Sequence, residues 1–390
     1  MIEKGERNAA LGPSLLDILP RFKTRVGLRH QKRILSVIDR LPIPSIRSRV
    51  FRRFLRRLVG PVLWSVKLEV NNACDLSCRM CYTKKGRDLL PMEGIKRLID
   101  DIGNVGTRLE LLGGEPLLRE DLPEIICYAK GEGIPEVVLY TNGRYADRER
   151  ARALHQAGLD IAIVNLISSN EEEHDRFVGR NGAWKETIAG IERLMEAGVG
   201  VYTFTAVHSA NIDRIKEIYA FVKESLGAHA LFYQYIPQRR DDPLIPNRES
   251  WAEIKRWILC EMNEDHARFV RNFCTLAGSS CSGGEFVFTV KVDGTVTPCP
   301  FISDIVLGNI KEDSIWKIIR SRFTNARFLQ FRSLPEECEG CTYAKVCNGG
   351  CKAGNAVLFG CYNRKDNRCL GPWGEPLSED ALCDRLPSFF

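Results

Sequence analysis

Between residues 62 and 240 the chain alternates two hydrophobic patterns. Short, β-branched apolar runs at 65–70, 108–112, 136–140, 160–165, 201–207 and 230–235 predict strands. Longer stretches with a helical period, such as 92–102, 119–130, 184–197 and 212–225, predict helices between them. Six strand–helix units of this kind predict an α/β fold with a parallel sheet. Residues 1–61 read as helical pieces broken at Pro20, Pro42 and Pro44. The last piece is amphipathic: Val50, Phe51, Phe54, Leu55, Leu58 and Val59 share one face, and Arg49, Arg52, Arg53, Arg56 and Arg57 fill the other. Residues 241–273 form a bridge with a helix around 251–263, and residues 274–390 form a second, cysteine-rich region.

Charge changes this picture in one place. Residues 1–60 carry a net charge of +11, and the other 330 residues sum to −5, so the basic character belongs to an N-terminal arm. That distribution speaks against a nucleic-acid surface over the body. The arm's last helix has two readings: docked on the body with its arginines in water, or a peripheral contact with an anionic membrane surface. No apolar run reaches the ~18 residues a membrane-spanning helix needs. Arg52-Arg53-Phe54-Leu55 faintly matches a twin-arginine export signal, but the apolar run after it is short and contains Gly60-Pro61, so it reads as no signal. Fifteen cysteines without a secretion signal point to metal ligands in a reducing, cytoplasmic setting.

The chemistry concentrates in Cys74-Asp75-Leu76-Ser77-Cys78-Arg79-Met80-Cys81-Tyr82, directly after the first predicted strand. A closed iron–sulfur cluster takes four thiolates and a structural zinc takes four ligands. Three thiolates in one loop leave one iron open to an external ligand. A zinc knuckle needs a fourth Cys or His nearby, and none lies between Asn71 and Asp101. Gly113-Gly114-Glu115-Pro116 follows the second strand, Thr141-Asn142-Gly143 the third, and Asn165 ends the fourth. All lie at carboxyl ends of consecutive strands, the face that carries active sites in α/β barrels. His174-Asp175 reads as a capping and surface cluster, and Cys127 and Cys260 as packed thiols on helices.

The second cysteine region opens with Cys281-x12-Gly294-x4-Cys299, in which Asp293-Gly294 between β-branched runs predicts a hairpin. It continues as Cys338-x2-Cys341-x5-Cys347-x3-Cys351, with Cys361, Cys369 and Cys383 beyond. A field this dense in Cys and Gly needs metal to hold it. A zinc ribbon at Cys338 and Cys341 is the alternative.

The first cysteine loop, with its following aromatic Tyr82, resembles the cluster motif of the radical S-adenosylmethionine (SAM) enzymes, and Gly113-Gly114-Glu115-Pro116 resembles their GGEP motif. The second region resembles the SPASM extension of the same superfamily, and Asp366-Asn367-Arg368-Cys369 resembles its terminal element. The resemblance spans residues 65–370 and implies a partial (βα)6 TIM-like barrel over 62–240 with a SPASM domain over 274–390. It implies that Cys74, Cys78 and Cys81 hold a 4Fe–4S cluster whose open iron takes SAM. One electron then cleaves SAM to a 5′-deoxyadenosyl radical that abstracts a substrate hydrogen. Tyr82, Gly113, Gly114, Glu115, Pro116 and Asn142 are implied around SAM. Relatives place a Ser-x-Asp pattern at the fourth strand end where this chain has Asn165-Leu166-Ile167-Ser168, and Asn165 is expected to reach the ribose.

The resemblance further implies two auxiliary 4Fe–4S clusters. Cys338, Cys341, Cys347 and Cys369 would hold the outer one. Cys281, Cys299, Cys351 and one more cysteine would hold the inner one, with Cys274, Cys361 and Cys383 open as the eighth ligand and Cys274 preferred. It implies a flavodoxin- or ferredoxin-type reductant. The expected substrate is a peptide or protein, with a tetrapyrrole of a haem or haem d1 pathway or a lipid-like molecule as the alternative. A non-catalytic electron carrier is the rival of another class, and the three-thiolate loop speaks against it, because carriers ligate their clusters fully.

Overall fold

The structure is a computed structural model, and its described residues are 63–103, 105, 107–261, 281–341 and 344–369. The basic arm, Cys274 and Cys383 lie outside them, as does the side chain of Cys260.

All six predicted strands form, within two residues of their expected ends. They are β1 (Ser65–Asn71), β2 (Arg108–Gly113), β3 (Val137–Thr141), β4 (Ile161–Asn165), β5 (Gly200–Val207) and β6 (His229–Gln234). Three more strands follow: β7 (Val287–Val290), β8 (Thr295–Thr297) and β9 (Gly308–Asn309). One sheet runs in the order β6-β5-β4-β3-β2-β1-β7-β8-β9. Neighbours from β6 to β1 are parallel, as is β1 with β7, where Ser65 pairs with Val287. This is an open, parallel-dominant α/β sheet, a partial barrel. The predicted hairpin is the antiparallel β7–β8 pair. Its Gly294 has φ +88°, and a Cβ there would stand 2.6 Å from Asn309 Oδ1, which is why the turn takes glycine.

The helices pack on one face of the sheet. The principal ones are α1 (Met92–Ile102), α2 (Leu122–Gly131), α3 (Arg148–Gln156), α4 (Glu171–Val178), α5 (Ala183–Glu196), α6 (Ile215–Ala220) and α7 (Arg248–Glu261). Ile95, Leu98, Ile99, Ile125, Ile126, Leu154, Ile191 and Leu194 from these helices meet Val66, Leu68, Val70, Leu109, Leu111 and Val164 from the strands in one core. Each such side chain contributes about 1.5–3 kcal/mol by leaving water. The other, concave face is apolar at β3–β6, where Val138, Ile163, Tyr202 and Leu231 cluster. At β1 and β2 it is polar: buried Glu110 accepts from Ser65 Oγ, Lys67 Nζ and, at 3.1 Å, Tyr140 Oη. The Ser-Val-Lys-Leu-Glu-Val-Asn alternation of β1 is the sequence trace of this division between core and concave face. Further helices among the described residues include α8 (Ile315–Ser321), α9 (Ala326–Arg332) and α10 (Lys352–Phe359).

Several expectations are corrected. The helix predicted from 119 begins at Leu122, because Arg119 is buried and its guanidinium donates to Val70 O and Leu90 O at 2.9 and 2.6 Å. The 212–225 stretch is three helical pieces rather than one helix. Cys127 is exposed, not packed: the buried stripe of α2 is Leu122, Ile125, Ile126 and Ala129, and Cys127 falls beside it. His174 and Asp175 are buried, not a surface cluster. The cap of α4 itself is Asn170, whereas the Asp175 carboxylate accepts from the N–H groups of Gly182 and Trp184 at the start of α5. Among the described residues no helix is long and apolar enough to cross a membrane.

Candidate functional site

The carboxyl ends of β1 and β2 are drawn together by backbone contacts that only glycine permits. Gly114 N donates to Asn71 O at 2.9 Å, and Glu115 N donates to Ala73 O at 2.7 Å. Gly113 has φ +151°, and a Cβ on it would lie 2.2 Å from Asn71 O; one on Gly114 would lie 2.1 Å from Ala73 O. Asn71 Nδ2 donates to Glu115 O at 2.8 Å, and Thr83 Oγ1 donates to Gly113 O at 3.0 Å. The glycine loop therefore lies directly against both ends of the cysteine loop.

That loop is also pinned from the far side. Ser77 N donates to Val178 O at 2.8 Å, and Arg79 N to Phe177 O at 3.1 Å, at the end of α4. Cys74, Cys78 and Cys81 are half-buried thiols. Burial pushes Cys78 up to about 12, and its neighbours Cys81 and Cys74 push the same way. Burial also pushes Cys74 up to about 11, with Glu115, Asp75 and Cys81 adding to it. Three crowded thiols become thiolates together only when a cation compensates them, and iron does this. The donor set fits the cluster on these grounds.

Glu115 ties β2 to β3. Its carboxylate accepts from Thr141 Oγ1 at 2.6 Å, Asn142 N at 2.7 Å and Leu117 N at 2.9 Å. Burial raises it to about 7 against the lowering effect of these donors. Helix α5 then packs on the β3 end so closely that a Cβ on Gly190 would meet Gly143 O at 1.9 Å. Among the described residues, three side-chain atoms at these strand ends, Asn71 Oδ1, Asn142 Nδ2 and Asn165 Oδ1, and Asp75 Oδ1 in the thiol loop are buried and without a hydrogen-bond partner. Buried polar atoms are normally paired. Three orphans at the ends of β1, β3 and β4, beside the cysteine loop, fit a polar ligand lying across these strand ends, as SAM would.

Sequence reasoning missed several residues of this region. Lys291, just past β7, donates to the Glu69 carboxylate at 2.7 Å and to Pro300 O at 2.6 Å, and lies 5.0 Å over the Tyr82 ring. Tyr82 in turn meets Phe301 with ring centroids 4.8 Å apart. The segment after Cys81 thus touches the segment after Cys299. Tyr233 Oη donates to Met80 Sδ at 2.9 Å, and its ring stacks on Phe204. The charged alternation of β1 was the signal available for Glu69; nothing in the sequence marked Phe301 or Tyr233.

The C-terminal cysteines fall into two neighbourhoods. Burial raises Cys338 to about 11, followed by the proximity of Cys347, Cys369 and Cys341. Burial raises Cys299 to about 12, followed by Cys281, with Cys351 also acting on it. Asp366 joins the chain segments, accepting from Cys351 N at 2.8 Å through its carboxylate and from Cys369 N at 2.9 Å through its carbonyl. Arg368, paired with Asp366, donates to Tyr235 O at 2.9 Å and so fastens the region to the end of β6.

A partial barrel with three thiols after its first strand, capped by a second cysteine region, defines an iron–sulfur enzyme of the α/β class. The family models agree. That of the radical SAM superfamily matches residues 68–222, and that of the SPASM iron–sulfur cluster-binding domain matches residues 281–342. Similar proteins include an AdoMet-dependent heme synthase of Oleidesulfovibrio alaskensis, 28% identical over 80% of this chain and 88% of that protein. Others are the mycofactocin maturase MftC of Mycolicibacterium smegmatis, 26% identical over 89% of this chain and 91% of that protein, and the PqqA peptide cyclase of Gluconobacter oxydans, 26% identical over 81% and 93%. The fold is shared with the solved structure of anSMEcpe with bound AdoMet, at TM-score 0.66 and 18% identity over 83% of this chain and 99% of that one. It is shared also with Streptococcus suis SuiB bound to S-adenosylmethionine, at TM-score 0.63 and 15% identity over 84% and 81%. The chain belongs to the radical SAM superfamily and carries a SPASM domain. It is an enzyme whose cofactors are 4Fe–4S clusters and SAM.

Proposed function

We propose that Cys74, Cys78 and Cys81 hold the reactive cluster and that SAM lies across the ends of β1, β3 and β4. The observation that carries this reading is the set of orphaned atoms, Asn71 Oδ1, Asn142 Nδ2 and Asn165 Oδ1, beside the thiol loop. With cluster and SAM bound, the site supplies a primary carbon radical that abstracts hydrogen from substrate. The chain's own residues bind and exclude water. Gly113 and Gly114 bring backbone to the ligand, Glu115 fixes the β3 loop, and Asn142 and Asn165 offer the free donor and acceptor. The apolar concave face from β3 to β6, walled by Tyr140, Phe204 and Tyr233, keeps water from the radical. The outer auxiliary cluster is assigned to Cys338, Cys341, Cys347 and Cys369, and the inner to Cys281, Cys299, Cys351 and one further cysteine, Cys274 or Cys361 or Cys383. The two neighbourhoods of cysteines support this division. The barrel is assigned to residues 62–240 and the auxiliary domain to 274–390, and the reductant to a flavodoxin- or ferredoxin-type protein of the cytoplasm.

For the substrate the reading is a peptide or protein. Its support is the likeness to MftC and the PqqA peptide cyclase, the former covering 89% of this chain. A tetrapyrrole is the second reading, favoured by the likeness to AdoMet-dependent heme synthases. The reduced enzyme with SAM is incubated separately with peptides encoded beside its gene and with iron-coproporphyrin III, and both are analysed by mass. A mass change in a peptide supports the first reading. Mass loss confined to the porphyrin replaces it with the second.

A further inference from the structure

Lys291 stands directly after β7 and joins the two cysteine regions of the chain. β7 runs parallel to β1, with Ser65 opposite Val287 and Lys67 opposite Thr289. Paired residues of neighbouring strands share a face, so the next step of this alternation brings Lys291 to Glu69 on the concave face. The two side chains pair at 2.7 Å and are 17% and 6% exposed. Lys291 Nζ makes two further contacts. It donates to Pro300 O at 2.6 Å and lies 5.0 Å from the centre of the Tyr82 ring. Each partner comes from a different segment: Glu69 from β1, Tyr82 from the position after Cys81, and Pro300 from the position after Cys299.

These contacts account for the burial of the lysine. The Glu69 carboxylate compensates its charge, Pro300 O takes a second donor, and the electron-rich face of Tyr82 takes the cation on another side. A side chain held this way gives up its rotamer freedom, so its contacts keep their segments in fixed relation. Tyr82 is also met by Phe301, with ring centroids 4.8 Å apart and the planes inclined at 52°. The next residue, Thr83, donates through Oγ1 to Gly113 O at 3.0 Å. The carboxyl end of the thiol loop is thus held between the glycine loop on one side and the segment after Cys299 on the other. Lys291 fastens the second side.

We propose, on the reading above that the thiol loop holds the cluster and that SAM lies beside it, that Lys291 is a positioning residue for SAM binding. It seats Tyr82 against the segment after Cys299 and so fixes the end of the thiol loop. It acts through the Tyr82 ring, from the side opposite the glycine loop. The auxiliary region thereby completes the SAM site, since a residue 222 positions beyond Glu69 sets the place of the loop that follows Glu69. A loose thiol-loop end leaves SAM a less preorganised site, and affinity falls by the cost of ordering it on binding.

The test is the SAM affinity of the anaerobically reconstituted, unreduced full chain, measured by equilibrium dialysis with labelled SAM, with iron counted on each sample. Lys291→Met alone would leave Glu69 buried and unpaired, a strong destabilisation in itself, so Lys291→Met is combined with Glu69→Gln as a neutral pair. It is compared with wild type, with Tyr82→Leu, and with the three changes together. The neutral pair keeps the iron of the wild type and raises the Kd for SAM about tenfold, the size of a desolvated cation–π contact. Tyr82→Leu raises it at least as much, and the three changes together raise it no further than Tyr82→Leu does, because Lys291 acts through that ring. Effects that multiply give Lys291 a separate structural role and overturn the inference, as does wild-type affinity in the neutral pair at full iron. Should the neutral pair assemble less iron, Lys291→Gln with Glu69→Gln keeps an N–H for Pro300 O and carries the same comparison. Loss of iron from both neutral pairs makes Lys291 a support of the auxiliary region alone and overturns the inference. A reconstituted wild type that binds no SAM overturns the reading of the site, and this inference with it.

Discussion

Gly114→Ala tests the close approach on which the site depends. The added Cβ would stand 2.1 Å from Ala73 O, whereas ordinary contact begins at 3.4 Å. One of the two backbones must therefore retreat by about 1.3 Å, and neither is a flexible side-chain end. Ala73 precedes Cys74, and Glu115 N donates to Ala73 O, so the retreat separates the thiol loop from the glycine loop proposed to face SAM. A misplacement of about 1 Å near reacting groups costs on the order of 100-fold in rate. Overpacking adds about 1–3 kcal/mol of destabilisation. The assay is 5′-deoxyadenosine formation by the reduced, reconstituted protein, with iron counted on the same sample. The expected result is a loss of about 100-fold or more, with the auxiliary irons retained. Gly131→Ala is the control, since a Cβ there meets nothing within 4 Å; it leaves the rate unchanged and stabilises by about 0.4–1 kcal/mol. Wild-type SAM cleavage by Gly114→Ala refutes the reasoning.

Three other outcomes are expected. Burial lowers His174 to about 4 from its ordinary 6.5, so the unfolded chain binds a proton that the fold refuses. Its contribution is whole above about pH 6.5 and is lost as pH falls toward 4, by about 2 kcal/mol at pH 5. Urea midpoints at pH 7 and pH 5 should converge in His174→Gln relative to wild type, and an equal acid loss in both proteins counts against the assignment. Cys341→Ala should remove about four irons and Cys127→Ala none, because Cys127 is exposed on α2; iron analysis of both decides, and zinc in place of the missing iron removes the auxiliary-cluster reading. Anaerobic iron chelation should open the 338–369 region to protease before the barrel, because metal binding and folding are coupled in a cysteine-dense segment; simultaneous digestion of both contradicts that.

The fold was largely legible because its strands are both regular and apolar. Val66, Leu68 and Val70 alternate with Ser65, Lys67 and Glu69, and the helices between strands keep a clear period. The cysteine motifs stood out in the sequence because the thiols of one loop lie close in sequence. What could not be read was side-chain direction across long separations. Lys291 meets Glu69 from 222 positions away, and Phe301 meets Tyr82 through the turn of β7 onto β1, a pairing with no local signature. Cys127 failed as a packed thiol for a one-position reason: residue 126 lies in the buried stripe of α2 and residue 127 does not. His174 and Asp175 looked solvated amid Glu171, Glu172 and Glu173, yet α4 turns them inward, where the Asp175 carboxylate accepts from Trp184 N at the start of the next helix.

The central claim is that three thiolates and the neighbouring strand ends bind a cluster and SAM for reductive cleavage. The most direct measurement is 5′-deoxyadenosine produced from SAM by the dithionite-reduced, anaerobically reconstituted enzyme, beside a Cys74→Ala, Cys78→Ala, Cys81→Ala triple variant. The account predicts product from the wild type, none from the variant, and retention of about eight irons by the variant in its C-terminal region. Equal product from both proteins contradicts it.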